Sequence, residues 1–114
     1  ASSYDTVGEN FYHGLVLGLC ATLDNRYYIT SNRESGEGRY DICLCPKDVN
    51  MPGVLIELKA AKDCSDDELK VLSETALKQI NDRKYDTELT TKGVKNVFKY
   101  GVAFSGKRVE IATK

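Results

Sequence analysis

Apolar residues recur at every fourth position early in the chain: Val7, Phe11, Leu15 and Leu19, joined by Leu23 and flanked by Val16 and Cys20. This period predicts an amphipathic helix from about Thr6 to Leu23, with Ser3 or Asp5 as its cap. Gly14 and Gly18 weaken that helix and are expected to let a neighbour approach closely. After a turn at Asp24-Asn25-Arg26, Tyr27 to Ser31 is rich in β-formers and reads as a strand. Ser35-Gly36-Glu37-Gly38 makes a turn, and Arg39 to Cys45 then alternates strictly. Tyr40, Ile42 and Leu44 share one face of that strand; Arg39, Asp41, Cys43 and Cys45 share the other. Pro46 ends it. Lys47 to Gly53 is a loop, and Val54 to Ala61 is a third strand whose apolar start suits a central position covered on both faces.

Asp66-Asp67-Glu68 opens a second helix with acids where the helix dipole favours them. Leu69, Leu72, Ala76, Leu77 and Ile80 mark its buried stripe to about Arg83. A polar connection is expected from Asp86 to Gly93. Val97 to Phe104, a turn at Ser105-Gly106-Lys107, and Val109 to Ala112 complete the chain as two further strands. At 114 residues this is a single domain spanning residues 1–114. No apolar run reaches the ~20 residues of a membrane span, so no membrane partner is expected. The start has no basic region followed by an apolar one, so no secretory signal is expected either.

Cys20, Cys43, Cys45 and Cys64 fit buried reduced thiols of a cytoplasmic protein better than a disulfide scaffold. Cys43 and Cys45 are too closely spaced for a zinc pair. Charge is spread unevenly. Residues 1–82 carry 8 basic and 14 acidic side chains, a balance of −6, and residues 83–114 carry 8 and 3, a balance of +5. A net −1 is unlike a stand-alone nucleic-acid binder, whose affinity rests on phosphate contacts. Binding to DNA or RNA would have to be local, metal-assisted or helped by another domain.

Acids interrupt two apolar strands. Asp41 lies between Tyr40 and Ile42, and Glu57 and Lys59 share one face of Val54-Leu55-Ile56-Glu57-Leu58-Lys59. Burying such charges costs several kcal/mol each unless they are paired or bind a metal. One reading is a divalent-metal site. Asp41, Glu57 and a backbone carbonyl such as that of Leu58 offer the hard oxygens that Mg²⁺ prefers, and Lys59 is placed to orient or help deprotonate a water. The other reading is a solvent-facing salt bridge on an edge strand.

Asp41, about fifteen residues, then Glu57-Leu58-Lys59, with a helix bearing Glu9 before and a helix bearing Gln79 after, resembles the PD-(D/E)XK nuclease superfamily. More narrowly, Glu9-Asn10-Phe11-Tyr12-His13-Gly14, Ser31-Asn32-Arg33-Glu34-Ser35-Gly36, Gly38-Arg39-Tyr40-Asp41 and Lys99-Tyr100-Gly101-Val102-Ala103-Phe104 resemble the nuclease-like domain at the C-terminus of prokaryotic AAA-ATPase-like proteins. The resemblance implies a restriction-endonuclease-like αβββαβ core, an α/β fold with a mixed central sheet flanked by helices. It implies Mg²⁺ or Mn²⁺ on Asp41 and Glu57, a catalytic Lys59, and Glu9 and Gln79 completing the site. The substrate implied is DNA, with RNA the alternative polymer, and an N-terminal ATPase-like domain of the same polypeptide is the implied partner. Members with Q-x3-Y carry a tyrosine four residues after the glutamine; here position 83 is Arg, and Tyr85 is the nearest tyrosine. A non-catalytic binding module with the same fold is the alternative function, and a dimerisation domain forming a homodimer is a third.

His13, four residues after Glu9, reads either as a general acid or phosphate contact or as a histidine hydrogen-bonded to Glu9. Arg33, Glu34 and Arg39 flank the turn before Asp41 and could meet phosphate or stabilise the loop. Lys62, Lys99, Lys107 and Arg108 could line a DNA groove or form an ordinary solvated surface. Gly36-Glu37-Gly38 lacks the Lys-Ser/Thr sequel of a nucleotide-binding loop.

Overall fold

Five strands form one sheet in the order β1 (Tyr27–Arg33), β2 (Arg39–Pro46), β3 (Gly53–Ala60), β4 (Val97–Ser105) and β5 (Arg108–Thr113). The computed structural model describes residues 2–33, 38–80 and 85–114, with side chains of the first helix described from Gly8 onward. The expected turn at Ser35-Gly36-Glu37, the neighbouring Glu34, the helix end at Arg83 and the side chains of Ser3, Asp5 and Val7 lie outside those residues. β1, β2 and β3 pair antiparallel, β3 pairs parallel with β4, and β4 pairs antiparallel with β5. A parallel pair needs a long crossover. Here α2 (Asp66–Ile80) and α3 (Tyr85–Thr91) supply it, while α1 (Ser2–Leu23) precedes the sheet. The fold is the mixed α/β architecture expected from the sequence.

Strand alternation divides the core in two. Tyr40, Ile42 and Leu44 of β2 join Leu58, Val102 and Phe104 under α1, where Tyr12 stacks on Tyr40 at 4.3 Å and Phe11 on Phe104 at 4.2 Å. Cys43 and Leu55 face the other way and pack with Ile80, Leu89 and Val94 beneath α2 and α3. Each fully buried large aliphatic in these layers contributes about 1.5–3 kcal/mol.

The start of α2 is fixed by a reciprocal cap. The Glu68 amide donates to Ser65 Oγ at 3.1 Å, and the Ser65 amide donates to Glu68 Oε1 at 2.8 Å. These bonds hold the Glu68 carboxyl below its ordinary pKa. The polar stretch from Asp86, expected as a connection, lies largely within α3. One buried residue, Leu89, anchors this short helix, which leaves almost no periodic signal. Gly14 and Gly18 also differ from expectation: nothing comes within 4 Å of where their Cβ atoms would be. The close approach happens at Gly101 instead. A Cβ there would stand 2.9 Å from the Leu77 Cα, and nearer still to the Leu77 nitrogen and the Ser73 carbonyl, so α2 lies directly on β4.

Candidate active site

Register brings the two strand acids together. Asp41 of β2 is the cross-strand partner of Glu57 of β3, and Arg39 is the partner of Lys59. Facing residues in an antiparallel pair have their Cβ atoms about 4.5–5.5 Å apart. All four side chains therefore point to the α2 and α3 side of the sheet. Asp41 is 7%, Glu57 1% and Lys59 8% exposed, which is not the solvent-facing salt bridge of the alternative reading. Glu57 is also the register partner of Gly101, so the contact that seats α2 on β4 lies beside this carboxylate.

Polar groups from four further positions converge on the acids. Arg39 Nη2 lies 3.9 Å from Glu57 Oε2 and donates to Gln79 Oε1 of α2 at 3.4 Å. The guanidinium thereby supplies positive charge beside a buried carboxylate, which offsets part of the cost of burial. Tyr85, the first residue of α3, donates its hydroxyl to Asp41 Oδ1 at 3.3 Å. Asn32 of β1, the cross-strand partner of Asp41, donates in turn to the Tyr85 oxygen. Burial and the Asp41 charge push the Tyr85 hydroxyl above its ordinary pKa, so the phenol keeps its proton and remains a donor. In the sequence Asn32 stands only within the block Ser31 to Gly36 that carries the resemblance, with no role of its own. Its signal is the register, which places it opposite Asp41 once β1 and β2 are paired.

Of the residues expected from the sequence, the sheet and helices thus gather Asp41, Glu57, Lys59, Arg39, Gln79 and Tyr85. Leu58 lies between Glu57 and Lys59, with its side chain in the core on the α1 side. Glu9, expected to complete the site, lies across the sheet. It accepts from the Tyr40 hydroxyl at 3.5 Å and pairs with Arg33 at 2.8 Å and His13 at 2.9 Å. His13 therefore makes the Glu9 contact that is its local reading, whereas Arg33 pairs with α1. Among the described residues no three His, Cys, Asp or Glu side chains form a ready metal cluster. Lys99 bonds Asp86 at 3.3 Å, and Arg108 bonds Asp66 at 2.6 Å and the Cys64 carbonyl. All four cysteines are free thiols.

A small cavity of about 90 Å³ adjoins this face, lined by Tyr28, Thr30, Cys43, Cys45, Glu88, Leu89 and Lys92. Burial, with smaller contributions from the neighbouring Cys45 and Glu88, pushes the Cys43 thiol up to about 11, so it is a protonated core group at neutral pH.

No curated protein and no solved structure gives a match. The family model of the PD-(D/E)XK nuclease superfamily matches residues 7–114, nearly the whole chain. Its members generally use divalent metals. The chain belongs to the PD-(D/E)XK nuclease superfamily.

Proposed function

We propose that this domain is a Mg²⁺- or Mn²⁺-dependent nuclease that hydrolyses phosphodiester bonds in DNA, attached to an ATPase-like domain of the same polypeptide. The observation that carries the reading is the register pairing of buried Asp41 with buried Glu57, with Lys59 on the same face. Two hard oxygen donors inside a protein, drawn from neighbouring strands, suit a small divalent cation. Asp41 and Glu57 would hold it. When bound, such an ion stabilises charge on a phosphoryl oxygen and lowers the pKa of coordinated water.

The chain's own residues do the rest. Lys59 orients the attacking water and offsets negative charge that builds on the phosphoryl group. Tyr85, itself held by Asn32, fixes one Asp41 oxygen and so sets which way the carboxylate turns. Gln79 holds Arg39 against Glu57 and keeps that side chain aimed into the site. Positioning of this kind lowers the barrier because little reorganisation remains when charge develops.

The test is cleavage of plasmid and of single- and double-stranded oligonucleotides with Mg²⁺ or Mn²⁺. Asp41→Asn and Lys59→Gln are expected to lower kcat by at least ~10²-fold, with circular dichroism unchanged. Calorimetry with Mn²⁺ should give a binding signal that Asp41→Asn and Glu57→Gln remove. A folded chain that binds DNA but gives no cleavage and no Mn²⁺ heat would be a binding module, and the proposal would fail.

A further inference from the structure

A shelf leads away from the acids along the two outer strands. Register pairs Asn32 with Asp41, Thr30 with Cys43 and Tyr28 with Cys45. Alternation puts all six side chains on the α2 and α3 side of the sheet, in steps of about 7 Å. Leu89 of α3 packs with Cys43 and Leu55, which seats that helix over β2 and β3. β1 is left uncovered on this side, and Tyr28, Thr30 and Asn32 are exposed. Between α3 and β1 lies the cavity of about 90 Å³, one step along the strands from Asp41.

The walls of this cavity decide what can enter it. Thr30 and the thiols of Cys43 and Cys45 line it from the strands, and Glu88 and Lys92 line it from the helix side. The Lys92 amide donates to the Glu88 carbonyl at 3.1 Å, so these two side chains stand one helical turn apart on the same flank. The Glu88 carboxylate opposes entry of a phosphate. A flat, uncharged ring bearing donors and acceptors meets a partner for each. Tyr28 completes the lining; its ring is 61% exposed, and Lys47 Nζ stands 5.1 Å from its centre. A cavity of ~150 Å³ encloses a benzene molecule. This one is smaller and bordered by exposed residues, so it admits the edge of a ring and leaves the remainder to lie on Tyr28.

We propose that the cavity holds an unpaired base of the strand being cut, one nucleotide from the phosphate at Asp41 and Glu57, and that the substrate is therefore single-stranded at the cut. The base pocket rests on the nuclease reading, because the acids are what place a phosphate one step away. A paired base shows only edges that lie within the grooves of the duplex, and it enters a concave pocket only by leaving the stack. An unpaired base does so at little cost. Tyr28 stacks on any base, since each has a π-face. Glu88 and Lys92 set an acceptor beside a donor, which answers amino-bearing and carbonyl-bearing edges alike. Recognition is thus of an unstacked base and not of a sequence, while Lys47 and Lys92 stand by for the neighbouring phosphates.

Fluorescence anisotropy in EDTA at low salt tests this without cleavage, comparing a short single strand with an abasic strand of the same length. The phosphates are equal in number, so the ratio of affinities reads the bases alone. The wild type is expected to bind the normal strand about tenfold more tightly. Tyr28→Ala, at an exposed side chain, should keep its circular dichroism spectrum and lose most of that preference. Glu88→Ala should narrow it from the other side, by binding the abasic strand better. A wild type that binds both strands equally, or neither, overturns the pocket, as does a preference that Tyr28→Ala leaves intact. So does a duplex of the same sequence that is bound and, with Mn²⁺, cut as well as the single strand. Loss of cleavage and of Mn²⁺ heat with the base preference retained would instead remove the nuclease reading and leave the pocket in place.

Discussion

Cys43 shows how the face that carries the acids treats ionisation. Its thiol has an ordinary value of 9.0 and rises to about 11 in the folded chain, chiefly through burial. The folded state therefore holds this proton more tightly than the unfolded one. Its stabilising contribution is complete below pH 9.0 and is lost as pH climbs toward about 11. Urea midpoints measured across that window should fall more steeply for the wild type than for Cys43→Ala; equal slopes would refute the assignment. At the same scale, Asp41, Glu57 and Lys59 were legible in the sequence because charge inside an apolar strand is costly and calls for a partner. The contacts of Tyr85 with Asp41 and of Arg39 with Gln79 were not legible. They depend on where α2 and α3 cross the sheet, which local spacing does not encode. Glu9 was expected at the site on resemblance, yet its neighbours Arg33, His13 and Tyr40 hold it on the α1 side.

Among the elements, β2 could be read from its alternation and β3 from its apolar start. α3 could not, since its seven residues contribute one buried side chain. The start of α2 carried a further signal in Ser65 and Glu68, three apart, whose reciprocal bonds the acidic run had obscured. The glycines illustrate why sequence alone misassigns close packing: Gly14 and Gly18 read as points of close approach and are open, while Gly101 is the most crowded of the described glycines. A methyl group at Gly101 meets backbone atoms of Ser73 and Leu77, which cannot rotate away. Gly101→Ala is therefore expected to cost ~3 kcal/mol or more, at or beyond the upper end for overpacking. Denaturant unfolding measures it, and a loss under ~1 kcal/mol would mean that α2 can lift from β4 without penalty. Because Glu57 lies beside Gly101, the same variant should also weaken Mn²⁺ binding.

For the molecule as a whole, the opposed faces divide the labour: α2 and α3 enclose the acids, and α1 leaves an apolar surface behind. Net charge of −1 leaves no overall excess of cations for phosphate, and Lys99 and Arg108 are engaged in ion pairs. DNA affinity should therefore be weak, with log K falling against log salt at a slope of about −2 to −3 for two or three neutralised phosphates. A slope steeper than about −6 would refute this expectation. The parallel pairing of β3 with β4 has a consequence for how the molecule comes into being. β3 emerges early in synthesis, but its neighbour on one side lies beyond both crossover helices, and closing so long a loop is slow. Until β4 arrives, Glu57 lacks its neighbour Gly101, and α2 lacks the strand on which it lies. A ribosome-bound chain ending before Val97 thus carries α2 and α3 but not the strand on which α2 is seated, and the enclosure of the acidic pair is complete only once β4 has been made.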